Sequence, residues 1–123
     1  MLKVHAKNLG NIAILCLQGR VVSGETAALR NALASQSEVS AVVLDLARVS
    51  TIDAAGLGVM LELREQSQSR GIAFKLMNVT KLVSRVLEIT RLNSVFEVTS
   101  GMELLSAAAL SQPASIAKLA SCA

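Results

Sequence analysis

Aromatic side chains are almost missing from this chain of 123 residues: Phe74 and Phe96 are present, with no Trp and no Tyr. Surfaces that hold bases or sugars by stacking need such rings, so that kind of binding is poorly served. Histidine is as scarce. His5 stands alone, which excludes multi-histidine metal clusters and acid–base schemes built from several imidazoles. Cys16 and Cys122 follow no metal-ligating or redox spacing and give no disulfide framework, so a reducing cytoplasm fits best. There is no apolar run near the roughly 18 residues that a membrane-crossing helix needs, and the opening Met1-Leu2-Lys3-Val4-His5-Ala6-Lys7 lacks the apolar core of a signal peptide. The chain therefore reads as soluble and unexported.

The formal charge of +3 comes from scattered Lys and Arg rather than a basic run, which argues against nucleic acid as a partner. No Gly-x-x-x-x-Gly-Lys-Ser/Thr loop occurs, and Gly56-Leu57-Gly58 lacks the third glycine of a dinucleotide fingerprint. No cofactor or metal is expected.

What is plentiful is aliphatic. A hydrophobic fraction of 52%, almost wholly Ala, Val, Leu and Ile, is enough for one domain with a real core. A short first strand around Val4–Ala6 leads through the Gly10-Asn11 turn signal to a strand within Asn11–Val22. Leu29 and Leu33 sit four apart in a short amphipathic helix over Glu25–Ser35, with Ser23 as its cap. Ala41-Val42-Val43-Leu44-Asp45-Leu46 has the near-continuous apolar content of a strand buried on both faces, with Asp45 near its exit. A helix over Ala54–Ser69 follows and stops at Arg70-Gly71. The alternation repeats with a strand at Ile72–Val79, a helix at Thr80–Arg91 and a last strand at Val95–Val98. Ser100-Gly101-Met102-Glu103 has capping-box spacing, so a fourth helix starts there, and an Ala- and Ser-rich tail follows Pro113. Strands alternating with helices give an α/β fold with a mixed sheet of four to five strands and about four helices.

The segment from Val49 to Val59 is physically unusual. Asp53 is a good N-cap, yet Gly56 and Gly58 then fall in the first turns of a helix, where each costs about 1 kcal/mol relative to Ala. Either the glycines permit close packing of helix on sheet, or a side-chain-poor helix start lets another protein's backbone approach.

Leu44-Asp45-Leu46, Ile52-Asp53-Ala54-Ala55-Gly56-Leu57-Gly58, the helix end at Arg70-Gly71, and Val86-Leu87-Glu88-Ile89 with Val95-Phe96-Glu97 follow one another in the order and spacing of the STAS domain family. The chain resembles that family, in its bacterial anti-sigma factor antagonist form, from about Leu2 to Leu110. The resemblance implies a STAS domain over 1–110, a tail over 111–123, and a non-catalytic, cytoplasmic partner-switching module in transcription regulation. It further implies that Asp53, Ala54, Ala55, Gly56, Leu57 and Gly58 meet the partner, an anti-sigma factor that is also a serine kinase of the histidine-kinase-like ATPase type. In such antagonists one of the two small residues after the Asp is the phosphorylated Ser. Here both are alanine, Ala54 and Ala55, so the usual switch has no hydroxyl to act on. Ser50 and Thr51 lie just upstream and read as loop hydrogen-bonding residues.

Other readings are weaker. His5 reads as an ordinary strand residue, and Asp45 and Asp53 fit loop-structuring and capping better than paired catalysis. Arg64, Arg70, Arg85 and Arg91 fall on different helix faces or ends. The alternative function is a STAS subunit of an ABC-type lipid transport system that binds the ATPase.

Overall fold

The structure is a computed structural model that describes residues 2–36 and 38–100. Five strands form one sheet in the order β1-β2-β3-β4-β5, with β1 Lys3–Leu9, β2 Ile12–Val21, β3 Ala41–Ile52, β4 Ala73–Met77 and β5 Glu97–Thr99. Three helices fill the connections: α1 Ala27–Ala34, α2 Ala54–Ser69 and α3 Lys81–Ile89. The fourth helix expected from Ser100 onward, and the 111–123 tail, lie outside the described residues.

The first pair is an antiparallel hairpin, Leu9 opposite Ile12, and every later neighbour pair is parallel. Because each crossover steps in the same direction, the right-handed rule places the helices on one face. That is what the packing shows. Ala13, Leu15 and Leu17 of β2, Val42, Leu44 and Leu46 of β3, and Phe74 and Leu76 of β4 meet Leu29, Leu33, Leu57, Met60, Leu63, Val83 and Leu87 from the helices. Each such Leu or Val contributes about 1.5–3 kcal/mol relative to an exposed one. Phe74 and Phe96 face one another in this layer with ring centroids 6.4 Å apart.

Several element edges differ from the sequence expectation. β3 does not stop at Leu46. It continues to Ile52, because β2 carries irregularities between Cys16 and Gln18 and between Gly19 and Arg20 that let pairing resume at Gln18–Arg48 and run to Val21–Ile52. Asp45 is therefore a buried mid-strand residue rather than an exit residue. Its carboxylate accepts the Ala47 N–H at 3.0 Å and the Asn78 side-chain amide at 3.2 Å. Ser23 does not cap α1: Thr26 holds that position without a side-chain bond. β5 starts later than Val95 because the Val95 and Phe96 N–H groups both donate to the Leu92 carbonyl in a turn. α2 ends as expected, with Gly71 at φ 72°, the left-handed position that glycine takes without strain.

Candidate functional site

The sites of interest gather where β2 and β3 leave the sheet. Ile52 ends β3 beside Val21, and the next residue, Asp53, adopts an extended backbone and caps α2. Its Oδ1 accepts the Gly56 N–H at 2.8 Å, and its carbonyl accepts the Leu57 N–H at 2.9 Å. The other carboxylate oxygen, Oδ2, accepts the backbone N–H of Ser23 at 3.0 Å. Its own N–H donates to the Val21 carbonyl at 3.2 Å. One residue thus ties the end of β2, the loop after it and the start of α2 into a single rigid corner. The Ser23 N–H, then the Gly56 N–H, hold the Asp53 carboxyl below its ordinary value of 3.8 by stabilising the charged form.

Around this corner the six residues expected at the partner surface divide. Ala54, Ala55 and Gly58 are exposed, and Asp53 is half-buried. Gly56 and Leu57 are buried and face the protein's own interior. A Cβ on Gly56 would overlap the Val21 carbonyl oxygen and lie 2.8 Å from the Val21 carbonyl carbon, whereas one on Gly58 would meet nothing within 4 Å. The two glycines therefore have separate causes: the first lets helix approach strand, and the second leaves the exposed helix start without a side chain. Close packing of helix on sheet, one of the two alternatives raised by the sequence, is realised at Gly56, while Gly58 is simply exposed.

Ser50 and Thr51 are in β3 rather than in a loop. Ser50 is exposed, and its hydroxyl donates to the Gly19 carbonyl at 3.2 Å, across the β2–β3 irregularity. Just before the corner, Arg20 pairs with Glu25 at 3.4 Å, a contact that spans the end of β2 and the following loop. Sequence reading did not single out this pair, because no periodic pattern links a strand residue to a loop acid.

Elsewhere the chemistry is sparse. Among the described residues no three of His, Cys, Asp and Glu come together in a metal-holding group. His5 is exposed on the edge strand β1. A shallow open hollow of about 470 Å³ on α3 is lined by Val79, Lys81, Ser84, Arg85 and Glu88, and it includes none of residues 53–58. Among the described residues no helix is long and apolar enough to cross a membrane.

The STAS domain model matches residues 3–104. This chain belongs to the STAS domain family. BtrV of Bordetella bronchiseptica, provisionally named an anti-sigma factor antagonist, is 33% identical over 109 residues, covering 87% of this chain and 94% of BtrV. Two solved structures share the fold. An anti-sigma factor antagonist from Mycobacterium paratuberculosis superposes with a TM-score of 0.68 at 19% identity, over 80% of this chain and 85% of that one. A sulfate transporter family protein from Wolinella succinogenes does so with a TM-score of 0.67 at 24% identity, over 85% and 90%.

Proposed function

We propose that this STAS domain is a non-catalytic, cytoplasmic regulatory module that docks through the exposed start of α2 onto an anti-sigma factor of the ATPase-kinase type. The observation that carries the reading is the combination of Ala54, Ala55 and Gly58 at the surface with Asp53 fixed on two backbone N–H groups. A helix start with small side chains and a rigid cap offers a partner close backbone approach at little cost in side-chain ordering. Gly56 and Leu57 contribute from beneath, by setting where the helix begins. Because positions 54 and 55 carry no hydroxyl, the module binds without being released by phosphorylation at those two sites. It carries out no turnover of its own.

The same edge would serve the second reading, a STAS subunit bound to the ATPase of an ABC-type lipid transporter. The fold is shared with a sulfate transporter family protein, so it is not confined to anti-sigma factor antagonists. A pull-down from the source cell separates the two by the partner recovered. With that partner, Ala55→Arg and Gly58→Arg are expected to lower affinity at least tenfold, about 1.4 kcal/mol, with little change in melting temperature. Unchanged affinity in both variants would place the docking edge elsewhere.

A further inference from the structure

Among the described residues, three large apolar side chains stand exposed: Leu82 at 49%, Ile89 at 74% and Val98 at 53%. All three belong to the last helix and the last strand, α3 and β5. Scattered singly, such residues need no explanation, but gathered at one end of a domain they mark a contact surface. On α3 the arrangement is ordered. Val83 and Leu87 point into the core, while Leu82, Val86 and Ile89, at i, i+4 and i+7, form a stripe down one flank, with Val86 half-buried between the two exposed ends. Val98 lies on the same side of the sheet, because its β4 neighbour is Leu76, which packs in the helix-side cluster. It sits there on the edge strand.

We infer that the α3 stripe is a second docking surface, which takes an acidic amphipathic helix of another protein. Charge selects this occupant. Lys81, Arg85 and Arg91 are exposed along α3 and at its end, against the single acid Glu88 in residues 79–92. Among the described residues none of these four forms an ion pair, whereas Glu97 on β5 is already held by Lys75 at 3.5 Å. Arg85 borders the stripe between Leu82 and Ile89 and also lines the hollow with Lys81 and Ser84, so an acidic side chain beside an apolar anchor meets a cation there. Helices dock through anchors at this spacing, and complementary charge fixes their register. A second copy of this chain fits less well, since a two-fold contact sets the patch against itself and brings its cations together. Residues 101–123 carry one acid, Glu103, and one base, Lys118, so they offer no excess of negative charge. A bilayer is disfavoured too: the stripe has no aromatic anchor, and an anionic surface repels Glu88.

Ile89 can report what covers the stripe. The full chain, with the photocrosslinker p-benzoylphenylalanine in place of Ile89, is expressed in the source cell and irradiated, and mass spectrometry identifies the segment joined to it. The same label in place of Gln66, exposed on α2, is the control. The expected product at position 89, well above the yield at 66, is a segment of another protein with apolar residues three or four apart and an excess of Asp and Glu. Arg85→Glu should cut that yield roughly tenfold and Arg85→Lys should preserve it. Melting temperature should hardly move in either variant, because position 85 is exposed. A joined segment without excess acid, a second copy of this chain, a lipid, or the chain's own residues 101–123 would overturn the inference. So would a yield at 89 no higher than at 66, or one indifferent to Arg85→Glu. None of residues 53–58 belongs to this surface, so such a result would leave the α2 docking reading standing.

Discussion

Gly56 and Val21 are locked together. The Val21 carbonyl accepts the Asp53 N–H at 3.2 Å, and the same carbonyl occupies the space where a Gly56 Cβ would project. Backbone meets backbone there, so neither partner can yield by rotating a side chain. Gly56→Ala is expected to lower stability by about 3 kcal/mol or more, at the upper end of overpacking costs. Gly58→Ala should do the reverse and raise stability by about 0.5–1 kcal/mol, since the added methyl meets nothing and removes the helix-interior glycine penalty. Urea melts of the two variants check the contrast; equal effects would mean that the close approach is not what selects glycine.

Leu57 extends the same argument. As a buried core residue, its replacement by Asp should collapse stability and binding together rather than binding alone. Leu57 was expected among the residues that meet the partner, but its side chain is buried in the core. Parallel measurement of melting temperature and affinity separates Leu57→Asp from Gly58→Arg.

Asp53 should make the fold acid-sensitive. Its folded-state pKa lies below the ordinary 3.8 that it regains on unfolding, so the unfolded chain binds the proton more readily. The stabilisation is full above 3.8 and is lost as pH falls through the depressed folded value. Asp53→Asn keeps a capping side chain but does not titrate. Wild type should lie above the variant near neutral pH, and the gap should close as the pH falls below 3.8. A gap in urea midpoint that stays constant across that range would show that Asp53 acts by shape rather than charge.

Much of this corner was legible from residue order. A carboxylate just before an apolar-periodic segment announced the α2 cap, and Gly71 announced its end, because both depend on local backbone chemistry. The extension of β3 through Val49–Ile52 was not legible. It depends on irregularities in β2, a strand about thirty residues earlier, and hydroxyl-rich Ser50-Thr51 resembles a loop when read locally. Ser23 misled for a related reason: it contributes its backbone N–H to Asp53 across 30 residues rather than its hydroxyl to the nearby helix. The split between Gly56 and Gly58 likewise required knowing which side of α2 met Val21.

The Arg30–Glu62 pair joins α1 to α2 with a guanidinium–carboxylate contact of 3.1 Å, but both side chains are about half exposed, at 52% and 47%. Water screens such a pair, so Glu62→Ala should cost no more than about 1 kcal/mol and less in high salt. A double-mutant cycle with Arg30→Ala measures the coupling. A much larger value would mean that the pair also orients the two helices.

The alanines at 54 and 55 set the last prediction. Both sit exposed in the first turn of α2, where helix backbone N–H groups and the N-terminal end of the helix dipole favour negative charge. A phosphate on a serine there would be accommodated by the folded domain itself. It would also add close to two negative charges beside ionised Asp53, on the edge proposed to touch the partner, and so weaken docking. Ala54→Ser and Ala55→Ser should each fold normally and bind as the native chain does. With the partner kinase and ATP, at least one should become phosphorylated and then dissociate, while the native chain stays bound. Mass spectrometry locates the phosphate and surface plasmon resonance gives complex lifetimes. Phosphorylation of the native chain at Ser50 or Thr51 followed by release would sink the constitutive-binding reading. Modification there would first have to break the Ser50–Gly19 bond or act on a residue held in β3. If neither serine variant is modified by a partner that binds it, the partner is not acting as a kinase on this edge, and the role narrows to binding alone.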